Sequence, residues 1–498
     1  MGKILFIISA VIVTAITIKA QIYVSPNGSD SNSGAIDKPL KTISSAITAA
    51  GSGSTIYLRG GVYSSSAKIK ISKSGTDDNY CKLWAYPGEK PVLDFTGSNS
   101  DGISLGANYW HIRGLEIKYA GHNGLNISGS FNIIENCSIH DNKNTGMQIG
   151  SGSGTTYPSH NLILNCDSYF NFDPPVGGNA DGFGAKWNIG SGNVYKGCRS
   201  YNNSDDGWDL WMADSTVEID SCFAFRNGVD IWFTGKVDGN GNGFKLGGNY
   251  IPAPQIIKNC ASFDNAGNTG RGFDENNNTS GQTIYNCTSY RNKGANYYFN
   301  NTVVTGVHDI KNCISYNGSI TIKSGTQKNN SWLGFTISSS DFLSLDTSLA
   351  VMPRDSNGNL QSTNFFKLAA GSSLIDAGVD VGIPYTGSAP DLGAFEYNGL
   401  VDAAYVNVNH PSAFALFQNF PNPFNPTTTI TFNLQNSGLT SLFVYNLLGQ
   451  KVDEIINSNL SAGRHSVSFN AENLTSGIYI YKLSQGGNST TRKLLLIK

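Results

Sequence analysis

Residues 161–203 read NLILNCDSYFNFDPPVGGNADGFGAKWNIGSGNVYKGCRSYNN. One short pattern occurs at each end of this stretch. Asn165-Cys166-Asp167 is followed by Tyr169 and Asn171, and Gly197-Cys198-Arg199 by Tyr201 and Asn203. The pattern recurs at Asn136-Cys137-Ser138, Ser221-Cys222-Phe223, Asn259-Cys260-Ala261, Asn286-Cys287-Thr288 and Asn312-Cys313-Ile314. Three residues after these five cysteines stand His140, Phe225, Phe263, Tyr290 and Tyr316. Five residues after stand Asn142, Asn227, Asn265 and Asn292, with Gly318 in the last copy. Consecutive cysteines of the series lie 29, 32, 24, 38, 27 and 26 residues apart.

A spacing of this order is the mark of a stacked-repeat architecture. Each unit holds short β-branched and aromatic runs broken by Gly and Asn, and none holds a long helical pattern. This predicts an all-β fold, a right-handed parallel β-helix whose equivalent residues form ladders about 4.8 Å apart. Cysteine fills the core as a small apolar group, rings stack beside it, and asparagines hydrogen-bond the turns. Uneven spacing then means variable loops on an even scaffold. Seven of the 8 cysteines belong to this series. They are therefore expected to be buried thiols, with a single disulfide between neighbouring rungs the alternative. KPLKTISSAITAAG (residues 38–51) places Leu40, Ile43 and Ile47 at helical spacing before Gly51. It predicts a short helix covering the open edge of the first coil, which begins with TIYL at 55–58.

Composition agrees. Charged residues are 14% of the 498, glycines number 57, and the formal net charge is -2. Such a chain favours strands and turns, and its charge balance argues against a nucleic-acid partner. Lys3 precedes an apolar run from Ile4 to Ile18, and residues 1–20 read as a signal peptide ending at Ala20. The β-helix domain spans 21–398 and a linker 399–412. Residues 413–498 alternate apolar and polar side chains between turn signals, which predicts a small antiparallel β-sandwich.

Carboxylates concentrate on one ladder. Asp181-Gly182-Phe183, Asp205-Asp206-Gly207-Trp208-Asp209, Asn242-Gly243-Phe244-Lys245 and Arg271-Gly272-Phe273-Asp274 each place a ring after Gly. Aligning the glycines puts Asp181, Asp206, Asn242 and Arg271 on one ladder and Asp209, Lys245 and Asp274 on the next. Each then lies within one or two coil rises of the others, about 5–10 Å. Asp before Gly commonly caps a turn, and for any single pair that reading prevails. Three carboxylates within five residues, aligned with a fourth one coil back and a lysine one coil on, instead call for a cation. Oxygen donors without His or Cys select a hard ion, calcium. A second calcium-like run begins at Asp238 but has Asn249 where an EF-hand loop needs Glu. Lys186, Lys236 and Arg271 are the basic candidates to hold anionic groups of a ligand, and Trp187, Trp208 and Trp211 serve either ligand stacking or the core.

Two resemblances follow from these words. ADGFGAKWNIGSGNVYKGCRSYNNSDDGWDLW with NGFKLGG downstream, IYVSPNGSDSNSGAIDKPLKTI, SLIDAGVDVG and PDLGAFEY resemble polysaccharide lyase family 9, across roughly residues 21–397. The resemblance implies a calcium-dependent pectate lyase acting by β-elimination on an acidic plant cell-wall polysaccharide. It matches the family's calcium-binding aspartates to Asp181, Asp205, Asp206 and Asp209, and its catalytic lysine to Lys245. LFQNFPNPFNPTTTITFNL, VYNLLGQKV and LTSGIYIYKL resemble the type A C-terminal sorting domain of type IX secretion cargo. Pro421, Asn422, Pro423, Phe424, Asn425, Pro426, Gly449, Ser476, Gly477, Ile478 and Tyr479 carry that resemblance. It implies type IX secretion machinery as a partner and a secreted or cell-surface protein, expected to be a monomer.

Three other readings stand beside this one: a rhamnogalacturonan lyase of the same family, a β-helix glycoside hydrolase with paired carboxylates, and a non-catalytic adhesin with structural calcium. Neither of the last two needs a lysine aligned with the aspartates. Residues 413–498 contain none of the candidate site. Their deletion is expected to leave the purified protein active and to abolish export in its native host; loss of activity with the β-helix still folded would contradict this.

Overall fold

The computed structural model describes residues 21–397 except 151–154, and 414–497 except 420, 421, 423, 437, 461 and 462. The expected signal peptide and linker, with Pro421 and Pro423, lie outside the described residues. The chain divides into two compact units, one ending at Tyr397 and the other beginning at Asn398.

Among the described residues, the first unit holds three long parallel sheets, one of twelve strands and two of ten. The chain visits them in rotation. Val217–Asp220 lies in the twelve-stranded sheet, Phe223–Phe225 in the second, Phe244–Lys245 in the third, and Ile256–Lys258 is back in the first. Each turn of this right-handed β-helix pairs in register with the next, as Ser168 with Ser200 and Gly184 with Asp209. The third sheet carries the acidic ladder and is called the site sheet below.

The repeat pattern explains the corners. Asn136, Asn165, Gly197, Ser221, Asn259, Asn286 and Asn312 all adopt φ between 49° and 64°. This left-handed region is where Asn and Gly cost least. The bend turns the following cysteine inward. All eight cysteines are buried thiols, so the disulfide alternative is not realised. Several are linked directly, the N–H of Cys166, Cys198 and Cys222 each donating to the sulfur one coil on. At the next corner Asn142, Asn171, Asn203, Asn227, Asn265 and Asn292 form a buried amide ladder. Each Nδ2 donates to the next Oδ1 at 2.8–3.0 Å, and each backbone N–H donates to that same oxygen. A second ladder was not read from the sequence. Asn132, Asn161 and Asn193 build it on early coils, and Gln255, Gln282 and His308 on later ones.

Three expectations need correction. The ring ladder exists, with His140, Tyr169, Tyr201, Phe225 and Phe263 stacked at 4.7–4.9 Å, but it does not line the interior beside cysteine. Strand side chains alternate, so Ser168, Ser200 and Ser262 point inward and the rings outward. There Phe225 and Phe263, with Tyr290, pack in one cluster with Phe365 and Phe366. The interior aromatic stack is Phe183, Trp208, Phe244, Phe273 and Tyr297, at 4.9–5.0 Å. Secondly, the helix runs Ile43–Ala49 with Thr42 as its N-cap, burying Ile43, Ala46 and Ile47. Leu40 instead bridges Val24 as extended chain. Thirdly, the stack begins one rung before TIYL, since Gln21–Val24 pairs with Thr55–Leu58.

The second unit is an antiparallel sandwich. Ala415–Leu416, Thr427–Leu434 and Gly463–Asn470 form one sheet; Lys451–Leu460, Gly438–Tyr445, Gly477–Gln485 and Asn488–Leu496 form the other. Ile430, Phe432, Leu442, Val444, Tyr481 and Leu494 fill its core.

The asparagine ladder makes a quantitative demand. Asn227→Ala strands the buried backbone N–H of Asn203, whose side-chain amide keeps the Ser168 carbonyl and Ser200 Oγ, and an unpaired buried polar group costs about 1–3 kcal/mol. Denaturant unfolding of the β-helix, followed by tryptophan fluorescence, should show at least that loss; a change under about 0.5 kcal/mol would contradict it.

Candidate functional site

The site sheet owes its register to glycine. An added Cβ at Gly182, Gly243 or Gly272 would meet the inward hydroxyl of Ser200, Ser262 or Ser289 at 1.9–2.3 Å. The coil is therefore pinched at each of these corners, and the ring after each glycine enters the interior stack. Phe183, Trp208, Phe244 and Phe273 are register partners in turn. The next residues, Gly184, Asp209, Lys245 and Asp274, stand on the outer ladder, as the glycine alignment expects. On the near side of the glycines, Asp181, Asp206, Asn242 and Arg271 follow one another, each carbonyl from Asp206 onward accepting the N–H of the glycine one coil earlier.

Asp181, Asp206 and Asp209 bring carboxylate oxygens within 4.8 Å of one another, all buried. Asp205 is also buried but stands outside that trio, and its Oδ1 accepts the Asn240 N–H at 2.6 Å. Backbone donors orient the rest: Asn242 N–H to Asp206 at 2.7 Å, Asp206 N–H to Asp181 at 3.2 Å and Trp211 N–H to Asp209 at 2.9 Å. The Thr145 hydroxyl donates to Asp181 Oδ2 at 2.9 Å.

Two ammonium groups sit among these oxygens. Lys245 Nζ lies 3.0 Å from Asp206 Oδ2 and 3.4 Å from Asp209 Oδ1, and donates to Asn240 Oδ1 at 3.2 Å. Its contact with Asp206 is an ion pair. Lys186 Nζ lies 2.7 Å from both Asp181 Oδ2 and Asp209 Oδ2. Its ammonium thus lies within the acid cluster. Arg271, 23% exposed in its side chain, pairs with Asp274 at 3.0 Å and lies 3.4 Å above the Tyr298 ring. Lys236 is 70% exposed and pairs with Asp238. Trp208 is interior, whereas Trp187 and Trp211 meet edge to face at 5.8 Å. Sequence reasoning missed Asn240 and Thr145. Thr145 precedes Gly146 and stands one coil before Asp181 on the same ladder, so the glycine alignment carried one coil back would have found it, whereas Asn240 falls on no aligned position.

The electrostatics show a site short of positive charge. Burial, reinforced by Asp206 and Asp181, pushes Asp205 well above the usual carboxylate range. Burial lifts Asp206 to about 7; Lys245 opposes this, and Asp209 and Asp181 add to it. Burial raises Asp181 against the pull of Lys186. At Asp209 burial is outweighed by Lys186 and Lys245, and its carboxyl is held below the ordinary value. Burial disfavours the Lys245 ammonium, but Asp206, Asp209, Asp205 and Asp181 outweigh it and hold the lysine well above its ordinary value. Four carboxylates against two ammonium groups leave a formal excess of two negative charges. The charge of one divalent ion balances that excess, and an all-oxygen donor set of buried carboxylates fits calcium.

Comparison with known proteins agrees with the fold. Residues 22–330 match the family described as Pel9A-like, right handed beta helix region, and residues 418–498 match the secretion system C-terminal sorting domain. Pectate lyase L of Dickeya chrysanthemi is 41% identical over 406 residues, 78% of this chain and 93% of the relative. A crystal structure of pectate lyase Pel9A superposes with a TM-score of 0.72 at 41% identity, covering 77% of this chain and 98% of that one. A rhamnogalacturonan lyase structure gives 0.63 at 27% identity, covering 70% and 97%. The chain belongs to the Pel9A-like β-helix family, polysaccharide lyase family 9, and is a polysaccharide lyase of the pectate lyase kind that carries a type IX sorting domain marking it for export.

Proposed function

We propose that the protein is a secreted, calcium-dependent lyase that cleaves polygalacturonate-type chains by β-elimination, with Lys245 as general base. The observation that carries this reading is a buried lysine at the centre of a carboxylate cluster whose oxygens gather within 4.8 Å. Asp181, Asp205, Asp206 and Asp209 would hold the calcium. When bound, the ion supplies positive charge against the negative charge that grows on the uronate carboxylate.

The chain's own residues do the remainder. Lys245 Nζ accepts the proton from C5 of the uronate; the C–H pair becomes the C4–C5 double bond, and the C4–O bond breaks toward the departing sugar. Asn240, which accepts from Nζ, aims the amine. Arg271 is the proposed partner of a neighbouring uronate carboxylate: it is on the adjacent ladder, braced by Asp274 and Tyr298, and keeps part of its guanidinium exposed. Lys236 would act only at the rim. Polygalacturonate is preferred to rhamnogalacturonan because the likeness to pectate lyases is the stronger by identity and by superposition. A hydrolase reading leaves Lys245 without a role. The sorting domain is the proposed handle for type IX machinery, and the exported form is proposed to be monomeric.

Polygalacturonate and rhamnogalacturonan, each with calcium or chelator, form the first test, read by ultraviolet absorbance of the unsaturated product. Polygalacturonate with calcium should give the highest rate and chelator should suppress it. Lys245→Ala should lower the rate by about 10²–10⁴-fold with calcium binding retained. Lys245→Arg should be nearly as poor, since guanidinium stays protonated. Asp209→Ala should weaken calcium binding, and added calcium should restore part of its rate. Normal rates in Lys245→Ala would overturn the assignment.

The pH dependence has a definite sign. The base must be neutral while carboxylates favour its charged form, so the rate should climb with pH into the alkaline range. Stability runs the other way in metal-free protein. Asp206, near 7 when folded against an ordinary 3.8, holds its proton more tightly in the folded state. Metal-free protein should therefore lose stability as pH rises from about 4 through about 7. Calcium should raise Tm more at pH 8 than at pH 5; equal shifts would refute the charge excess.

A further inference from the structure

Lys186 follows the strand Phe183–Ala185, one coil before Asp209. Its path is prepared. Gly184 occupies the ladder position directly opposite Asp209, and a Cβ there would lie 3.3 Å from Lys186 Cε. The bare glycine leaves the space through which the lysine stem passes. The ammonium then ends equidistant, at 2.7 Å, from Asp181 Oδ2 and Asp209 Oδ2, with the side chain 10% exposed. Both aspartates belong to the trio whose oxygens converge. Lysine and a divalent ion are thus rivals for the same carboxylates.

We infer that Lys186 is the built-in counter-ion of the calcium site: it competes with the ion for Asp181 and Asp209, and so sets the calcium concentration at which the site fills. This rests on the calcium reading above. Without metal, the lysine offsets the repulsion between two buried carboxylates and keeps the coils together. With metal, its charge opposes that of the ion, so it is a positioning residue that tunes the site rather than one that meets the reacting atoms.

Lys186→Met keeps the stem and removes the charge. Calorimetric calcium titration of the full chain, without polysaccharide, should show Kd lowered by about tenfold or more, because unit charges a few ångströms apart interact strongly at a buried site. Metal-free thermal unfolding should shift down by roughly 5–10 °C, the scale expected for an uncompensated buried charge, and calcium should recover the loss. Lys186→Arg keeps the charge, so its calcium affinity should stay within about threefold of wild type. Affinity unchanged or weakened in Lys186→Met, or tightened equally in Lys186→Arg, overturns the inference. If Lys186→Met folds only when refolded with calcium, the inference is supported; failure to fold with or without calcium overturns it. Wild-type protein that binds no calcium overturns the calcium reading and this inference together, whereas wild-type binding with unaltered Lys186→Met affinity overturns this inference alone.

Discussion

Asn203 donates its side-chain amide to Asn227 and receives that of Asn171, and the same oxygen of Asn227 also takes the Asn203 backbone N–H. Repeated from Asn142 to Asn292, this contact fastens every coil to the next at the corner leading into the site sheet. A buried amide left without its neighbour would be costly, so the ladder tolerates neither a slip of register nor a missing rung. Loops between the corners can lengthen, as the 38-residue interval between Cys222 and Cys260 does, while corner follows corner unchanged.

That constancy is what lets side chains distant in sequence share one site. Asp181, Asp206, Asp209 and Lys245 come from three successive coils, and their separation is set by strand spacing rather than by any loop. A rigid sheet can hold like charges together where a flexible loop would splay them apart. The cost appears in the carboxyl groups, several of which resist ionisation by burial and mutual repulsion. The same strain makes the cluster receptive to a divalent ion and makes the lysine hard to deprotonate without one. Binding and catalysis in the proposed reaction are therefore coupled through one charge balance, in which Lys186 and Lys245 are both terms.

The outer rings show how a fold can reuse its own period. Asp167–Tyr169, Arg199–Tyr201, Ala261–Phe263 and Thr288–Tyr290 in the second sheet each offer a serine inward and a ring outward, and the later rings, Phe263 and Tyr290, pack against Phe365 and Phe366. The sheet thus gains a second core on a face that would otherwise meet water, while the interior beside the site sheet is filled by the Phe183-to-Tyr297 stack.

The spacing of Asn-Cys corners and Gly-ring pairs by itself determined the parallel stack, the corner asparagine ladder, and which of Asp209, Lys245 and Asp274 share a ladder. Parallel strands with fixed corners inherit their register directly from those residues, so these relations could be read along one line of text. The direction of a long side chain is not encoded in that way. Lys186 was legible as a basic residue near the site, but only the tertiary structure, through the space left by Gly184, turned its ammonium between Asp181 and Asp209. The outward facing of the rings, the second amide ladder and the grip of Asn240 on Asp205 and Lys245 were likewise decided in three dimensions. Each depends on what occupies the neighbouring coil or loop, and a periodic pattern records recurrence, not contact.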